Sequence, residues 1–196
     1  MNHIGELLYL VLPVVVAGIL NMVFVKAPFL ESLKIPMDKG RKLNDGNRLF
    51  GENKTWKGFL GMIVLTAFVM LFFQWLALSF EWANSVSLFP YRDWQFPLEG
   101  AFYGSIMGLA YVLAELPNSY IKRRIDISPG TNASGLKGKV FLIVDQADSV
   151  FGCVLFMPIF YVPSILDAVT IVVLATCLHL LVNFLLYLVG LKNQPA

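Results

Sequence analysis

Val140-Phe141-Leu142-Ile143-Val144-Asp145-Gln146-Ala147-Asp148-Ser149-Val150-Phe151-Gly152-Cys153-Val154-Leu155-Phe156 is an apolar stretch with two carboxylates set three residues apart inside it. The apolar run continues to Val162, enough to cross the roughly 30 Å of a bilayer core, which takes about 20 helical residues. Each Asp at the centre of such a helix costs about 2.5–3.5 kcal/mol on the insertion scale, so the pair costs about 5–7 kcal/mol uncompensated. Spacing i, i+3 puts both side chains on one helix face. There their oxygens can hold a hard divalent cation, with water and substrate phosphate completing the shell. The alternative is a carboxylate pair near the helix end, balanced by Lys or Arg.

Four further runs of similar length flank this one, at about Leu7–Val25, Phe59–Phe80, Leu98–Leu116 and Ile165–Leu188. Of the 196 residues, 57% are hydrophobic and 14% charged, with a mean hydropathy of +0.68. Such values belong to polytopic membrane proteins rather than soluble domains. The expected fold is therefore all-α: one integral-membrane domain over residues 1–196, with about five transmembrane helices and two basic loops at one face. No Lys or Arg precedes the first apolar run, so that run reads as a retained span rather than a secretory signal. Cys153 and Cys177 form no metal-binding pattern and read as small buried hydrophobes.

Five spans put the termini on opposite sides, and the charge distribution orients them. Eight of the fifteen basic residues lie from Lys26 to Lys57 and five from Lys122 to Lys139. Together with Lys192 they place fourteen on one side, against Arg92 alone on the other. By the positive-inside rule the two basic loops and the C-terminus are cytoplasmic and the N-terminus is outside, in a cell membrane. Trp82, Phe89, Tyr91, Trp94 and Phe96 of the outer loop suit an aromatic belt. Gly100, Gly104 and Gly108 repeat at four-residue spacing, the pattern that lets helix backbones approach closely.

The first basic loop, Pro36-Met37-Asp38-Lys39-Gly40 through Asn53-Lys54-Thr55-Trp56-Lys57-Gly58, is long and aperiodic, which in a compact domain indicates function or disorder. Leu43, Leu49, Phe50 and Trp56 give it apolar packing groups. Glycines that let backbone N–H groups approach an anion, interleaved with Arg and Lys, suit phosphate binding. Gly51-Glu52-Asn53-Lys54-Thr55 lacks the spacing of a phosphate-binding P-loop and follows no strand. The other reading of this loop is a polybasic strip touching anionic headgroups. The second loop is read as starting where Pro117 ends the third span, and carries Lys122-Arg123-Arg124. Glu115, just before that break, is expected to face a polar cavity or pair with a base.

Two basic loops and an acidic pair at one face point to a metal-assisted reaction on phosphates at the membrane surface. Neither histidine, His3 or His179, lies in these loops. A phosphate monoester nucleophile is already ionised at neutral pH, so positioning and charge neutralisation can suffice.

Ser119-Tyr120-Ile121-Lys122-Arg123-Arg124 followed by Asp145-Gln146-Ala147-Asp148 resembles the S-x-x-K-R…D-x-x-D pattern of CTP:phosphatidate cytidylyltransferases. The first loop, with Pro36-x-Asp38-x-Gly40, Asp45-Gly46-x-Arg48-x-Phe50-Gly51 and Asn53-Lys54-Thr55-Trp56-Lys57-Gly58, is similar to the shorter CDP-archaeol synthase branch. The longer bacterial enzymes carry His-Gly-Gly before the D-x-x-D, where this chain reads Lys139-Val140-Phe141-Leu142, which favours the shorter branch. The resemblance implies transfer of CMP from CTP to a lipid phosphate, archaeol phosphate or phosphatidate, with release of pyrophosphate and with Mg²⁺ as the metal. It implies metal-binding and catalytic roles for Asp145 and Asp148, and phosphate neutralisation by Lys122 and Arg123. Ser119, Glu115, Asp38, Asp45, Arg48, Asn53, Lys54 and Thr55 are expected at the nucleotide or headgroup site. The expected partners are CTP, a lipid phosphate and membrane lipids, with no nucleic acid; oligomeric state is left open.

Two rival readings share parts of this pattern. A CDP-alcohol phosphotransferase also uses paired Asp, but Asp45-Gly46-Asn47-Arg48 lacks that family's D-G-x-x-A-R continuation. A small transporter or lipid-binding scaffold predicts a polar stripe through the bundle, for which Asn21, Gln74, His179 and Asn183 are candidates.

Overall fold

The computed structural model describes residues 3–131 and 134–190, so Lys192, counted above in the charge bias, lies outside the described residues. The chain forms α1 (His3–Lys26), α2 (Trp56–Ser79), a short α3 (Glu81–Val86), α4 (Leu98–Arg124), α5 (Gly135–Phe156) and α6 (Ile165–Leu188). Among the described residues there is no strand, only the isolated bridges Pro36↔Thr55 and Lys42↔Arg48 in the first connection. Helices α1, α2, α6 and α5 continued to Ile159 are long and apolar enough to cross a membrane. Helix α4 is more polar, because its 27 residues end in Lys122, Arg123 and Arg124 and include Glu99 and Glu115.

Neighbour packs against neighbour in the order α1, α2, α4, α5, α6 and back to α1, a closed ring of five long helices. Tyr111 of α4 reaches across the ring, its own ring 6.0 Å from that of His179 on α6. The α2/α4 contact is the closest kind. A Cβ on Gly104 would lie 2.7 Å from Ala67 Cα, and one on Gly108 would lie 2.7 Å from Ile63 Cα. The glycine repeat therefore sits where two backbones meet, as its spacing requires. Asn183 donates to Gln146 Oε1 at 2.5 Å, the interhelical role its place on α6 suggests.

Three local features depart from expectation. Pro117 does not end the third span: α4 runs through it to Arg124, as helices packed in a membrane bundle allow once neighbours compensate the freed carbonyl. The outer loop is not simply a belt. Phe89, Tyr91 and Trp94 are buried, clustered with Tyr103 and Phe160, because Gln74 Nε2 ties the loop inward through the carbonyls of Tyr91 and Trp94. Trp82 and Phe96 alone of the five remain exposed. Cys153 is buried as expected, but Cys177 faces outward.

At the opposite end, α2 starts with Thr55 as N-cap, its side chain accepting from Gly58 N. The fully buried Lys57 then donates to Ala27 O at 2.7 Å, placing a cation against the carbonyl end of α1 where the helix dipole favours it. The first loop is thereby anchored at both of its helix junctions.

Candidate active site

Because α4 continues past Pro117, Glu115, Asn118 and Lys122 fall on one face at i, i+3 and i+7. Opposite them, α5 presents Asp145 and Asp148. Asn118 Nδ2 donates to Asp145 Oδ1 and to Asp148 Oδ2, at 2.7 Å each. Lys122 Nζ donates to the other oxygen of Asp145 at 2.6 Å. The two carboxylates thus converge on one point, and an ammonium neutralises one of them.

The first loop supplies the third side. Lys54 Nζ reaches Glu115 Oε2 at 2.5 Å. Burial alone would push the Lys54 ammonium down, but Glu115 beside it, with Asp148 and Asp145 further off, holds it above its ordinary value. Lys54 therefore stays charged at neutral pH. Two of the three carboxylates are thus paired with an ammonium, Glu115 with Lys54 and Asp145 with Lys122, while Asp148 is held by Asn118 and the Ser149 N–H.

Asp38 organises the loop from within. Its side chain is fully buried and accepts from the N–H groups of Gly40, Phe50 and Gly51 as well as from the Arg48 guanidinium. Burial would raise its pKa, but the Arg48 pair and the backbone donors outweigh that and hold the carboxyl well below the usual carboxylate range. Asp45 accepts from Arg124 Nη1 at 2.7 Å, and Arg124 Nη2 reaches Arg48 O at 2.5 Å. Asn47 bonds Asp126 at 2.8 Å. The two basic connections are therefore stitched into one cap over the end of the bundle.

Arg123 is buried beneath this cap, 6% exposed, and its Nε and Nη1 have no hydrogen-bond partner among the described residues. Asn118 Oδ1 is likewise buried without a partner. Unmade bonds to buried polar atoms cost about 1–3 kcal/mol each, more for charged groups, so both mark places where a polar ligand would be stabilising.

Of the residues expected from sequence, Asp145, Asp148, Lys122, Glu115 and Lys54 meet in one cluster, with Arg123 close by. Asp38, Asp45 and Arg48 lie in the cap and bond mainly to protein. Asn53 and Thr55 line a cavity of about 260 Å³ that also includes Lys54 and Glu115. Ser119 makes no side-chain bond to the cluster among the described residues. Asn118 was missed. Its signal was the helical spacing to Glu115 and Lys122, hidden by reading Pro117 as a helix end.

The sequence profile of the CDP-archaeol synthase family, CarS-like, matches residues 1–196. A CDP-archaeol synthase of Methanoculleus marisnigri is 30% identical over 166 residues, covering 82% of this chain and 89% of the relative. One of Thermofilum pendens is 28% identical over 195 residues, covering 99% of this chain and 82% of the relative. A solved structure described as an intramembrane enzyme for archaeal membrane lipid biosynthesis superposes with a TM-score of 0.58 at 22% identity, covering 86% of this chain and 91% of that one. That likeness supports the helical membrane fold, and the profile match over the full length settles the family: the chain belongs to the CDP-archaeol synthases.

Proposed function

We propose that the Asn118, Asp145, Asp148 and Lys122 cluster is where this membrane enzyme transfers CMP from CTP to a lipid phosphate. The reaction class follows from the family: a CTP-dependent cytidylyltransferase producing a CDP-activated lipid. The acceptor proposed is archaeol phosphate, as the names of the relatives suggest. The single observation that carries the site is the convergence of both carboxylates on Asn118 Nδ2.

A phosphate oxygen of the lipid attacks the α-phosphorus of CTP, a new P–O bond forms, and the α–β bridging P–O bond breaks to release pyrophosphate. The donor set fits Mg²⁺: two hard carboxylates lie side by side, drawn together by Asn118 Nδ2, and the ion would take their oxygens in place of that N–H donor. Among the described residues no group of three His, Cys, Asp or Glu is arranged to hold a metal alone, which suits an ion that takes much of its shell from water and phosphates. Asp145 and Asp148 would hold it, and bound there it would neutralise phosphate charge. Lys122 and Lys54 supply positive charge on either side of the carboxylates. Nε and Nη1 of Arg123 are left to donate to phosphate oxygens. The Asp38-centred cap holds these groups in register before substrate arrives, so little reorganisation accompanies the reaction.

The reading places the basic connections at the cytoplasmic face, where CTP is found, and the N-terminus outside, supported by the fourteen-to-one charge bias. The transporter alternative loses its polar stripe: Gln74 is spent on the outer loop, Asn21 on Gly58 O and Asn183 on Gln146. Purified protein incubated with CTP, Mg²⁺ and defined lipid phosphates should release pyrophosphate and form a CDP-lipid. No release with any lipid phosphate would refute the assignment.

A further inference from the structure

Gln146 stands between the two carboxylates of α5 in sequence and faces away from them. At about 100° per helical residue, Asp145 and Asp148 lie about 60° apart around the axis, with Gln146 about 100° from the first and about 160° from the second. It is 4% exposed, and Asn183 Nδ2 of α6 donates to its Oε1 at 2.5 Å. As packing material a buried amide gains nothing over an apolar side chain of its size, and left unpaired it is costly. What it adds is one partner, and with it one register. Residues 145–148 are therefore gripped from two sides by amides, Asn118 of α4 on the carboxylates and Asn183 of α6 on Gln146.

The two grips are not equivalent. The Asn118 bonds use carboxylate oxygens that a cation would take, so they are given up on loading, while Lys122 steadies Asp145 alone. The Asn183 bond uses neither carboxylate and persists. Packing does not replace it. Helix α5 meets α4 through Gly152, where a Cβ would lie 2.4 Å from Ala114 Cβ and 2.6 Å from Ala110 O. A contact made by a residue without a side chain fixes distance but gives little hold on rotation, and in lipid no hydrophobic drive between helices restores it. A turn of about 10° about the α5 axis moves a side-chain tip at a radius of about 5–6 Å by about 1 Å. A misplacement of that size can cost about 10²-fold in rate.

We propose that Gln146 and Asn183 are positioning residues for the reaction: the bond from α6 fixes the rotation of α5 and keeps Asp145 and Asp148 aimed at the reaction centre once Asn118 has released them. The proposal rests on the cytidylyltransferase reading above. It gives α6, the least buried of the candidate spans, a part in a reaction centred on α4 and α5.

Asn183→Leu and Gln146→Leu remove the bond at similar volume, and the exchange Gln146→Asn with Asn183→Gln restores an amide pair of the same combined length. His3→Gln controls for a loosened α6, because His3 Nε2 ties the far end of that helix to α1 through Asp167 at 2.7 Å. Each Leu variant should raise the Mg²⁺ concentration for half-maximal pyrophosphate release about tenfold, with KM for the lipid phosphate near wild type. The exchange should bring that concentration back, and His3→Gln should not move it. A pair with a merely structural role would lower the melting temperature and leave the Mg²⁺ dependence in place. That result, or an equal shift in His3→Gln, would overturn the proposal. A readout without metal or substrate uses Cys153 of α5, buried with its Sγ 3.6 Å from Met107 O of α4. With the exposed Cys177 changed by Cys177→Ser, a small organomercurial should spare Cys153 in the otherwise wild-type protein. It should react several-fold faster in Asn183→Leu well below the melting temperature, and spare Cys153 again in the exchange. Unchanged labelling in Asn183→Leu would overturn the rotation. Wild type releasing no pyrophosphate would refute the cytidylyltransferase reading instead, and the labelling would still decide whether α6 holds α5.

Discussion

Lys54 Nζ lies 2.5 Å from Glu115 Oε2, so a residue of the first connection is ion-paired to α4. The side chains are 28% and 26% exposed, between the surface case, where such pairs contribute little, and the buried case, where breaking one leaves an uncompensated charge. Lys54→Met and Glu115→Gln should each cost about 1–3 kcal/mol of stability. The double variant should cost less than the sum of the two. Thermal unfolding in detergent through this double-mutant cycle measures the coupling; additive losses would mean that the pair does not hold the cap to α4.

Asp145→Asn and Asp148→Asn should each reduce turnover by about 10³-fold or more, since each would weaken the hold on the proposed Mg²⁺ that neutralises phosphate charge. Membrane insertion should hold in both, and the unfolding temperature should hold or rise slightly for Asp148→Asn, which relieves a like-charge contact, but fall for Asp145→Asn, which leaves the Lys122 ammonium without its partner. Pyrophosphate release together with detergent melting curves checks both halves. Wild-type turnover in either variant would remove the metal role.

Asn118→Leu tests the shared donor. Without its N–H groups the carboxylates lose the atom that aims them at one another, and loss of such an orienting partner typically costs about 10–100-fold in metal affinity or activity. The Mg²⁺ concentration for half-maximal rate should rise. A lower kcat at unchanged Mg²⁺ dependence would mean that Asn118 serves substrate rather than the carboxylates.

How much of this was legible in the sequence depends on the distance over which each feature is encoded. Helices α1, α2, α5 and α6 are written locally, as apolar runs of sufficient length, and the acidic pair stands out because charge inside such a run is costly. The continuation of α4 past Pro117 is not local. Proline removes one backbone hydrogen bond, and whether the helix survives is decided by the α2 and α5 surfaces packed against it. Misreading that one residue hid Asn118. The role of Asp38 was equally out of reach, because its donors come from Arg48, Phe50 and Gly51, ten to thirteen residues away across an aperiodic loop.

The Asp38 hub predicts a pH dependence with a definite sign. Its folded pKa lies below the unfolded value of about 3.9. The ionised group therefore contributes stability that is present above that value and is lost only as pH falls through the lower folded one. Hydrogen exchange of residues 36–51, corrected for intrinsic rates, should show protection holding from pH 7 down to about pH 4. Asp38→Asn should open the same segment at every pH in that range. Wild-type protection that disappears between pH 6 and pH 5 would assign the loop's stability to some other group.

Gly108→Ala separates close packing from mere smallness. The added methyl would stand 2.7 Å from Ile63 Cα and 2.8 Å from Met62 O, and backbone, unlike a flexible side chain, cannot rotate aside. Relief requires α4 to move off α2, and overpacking of this kind costs about 1–3 kcal/mol. Glu115 lies two turns along the same helix, so the shift that relieves Gly108 also moves Glu115 away from Lys54. The variant should therefore melt lower and also lose turnover at temperatures where it is still folded. Leu113→Trp, which changes an outward-facing position on the same helix, should leave the melting temperature within a few degrees of wild type. A Gly108→Ala protein with unchanged melting temperature would show that the α2/α4 contact has room the close backbone approach denies.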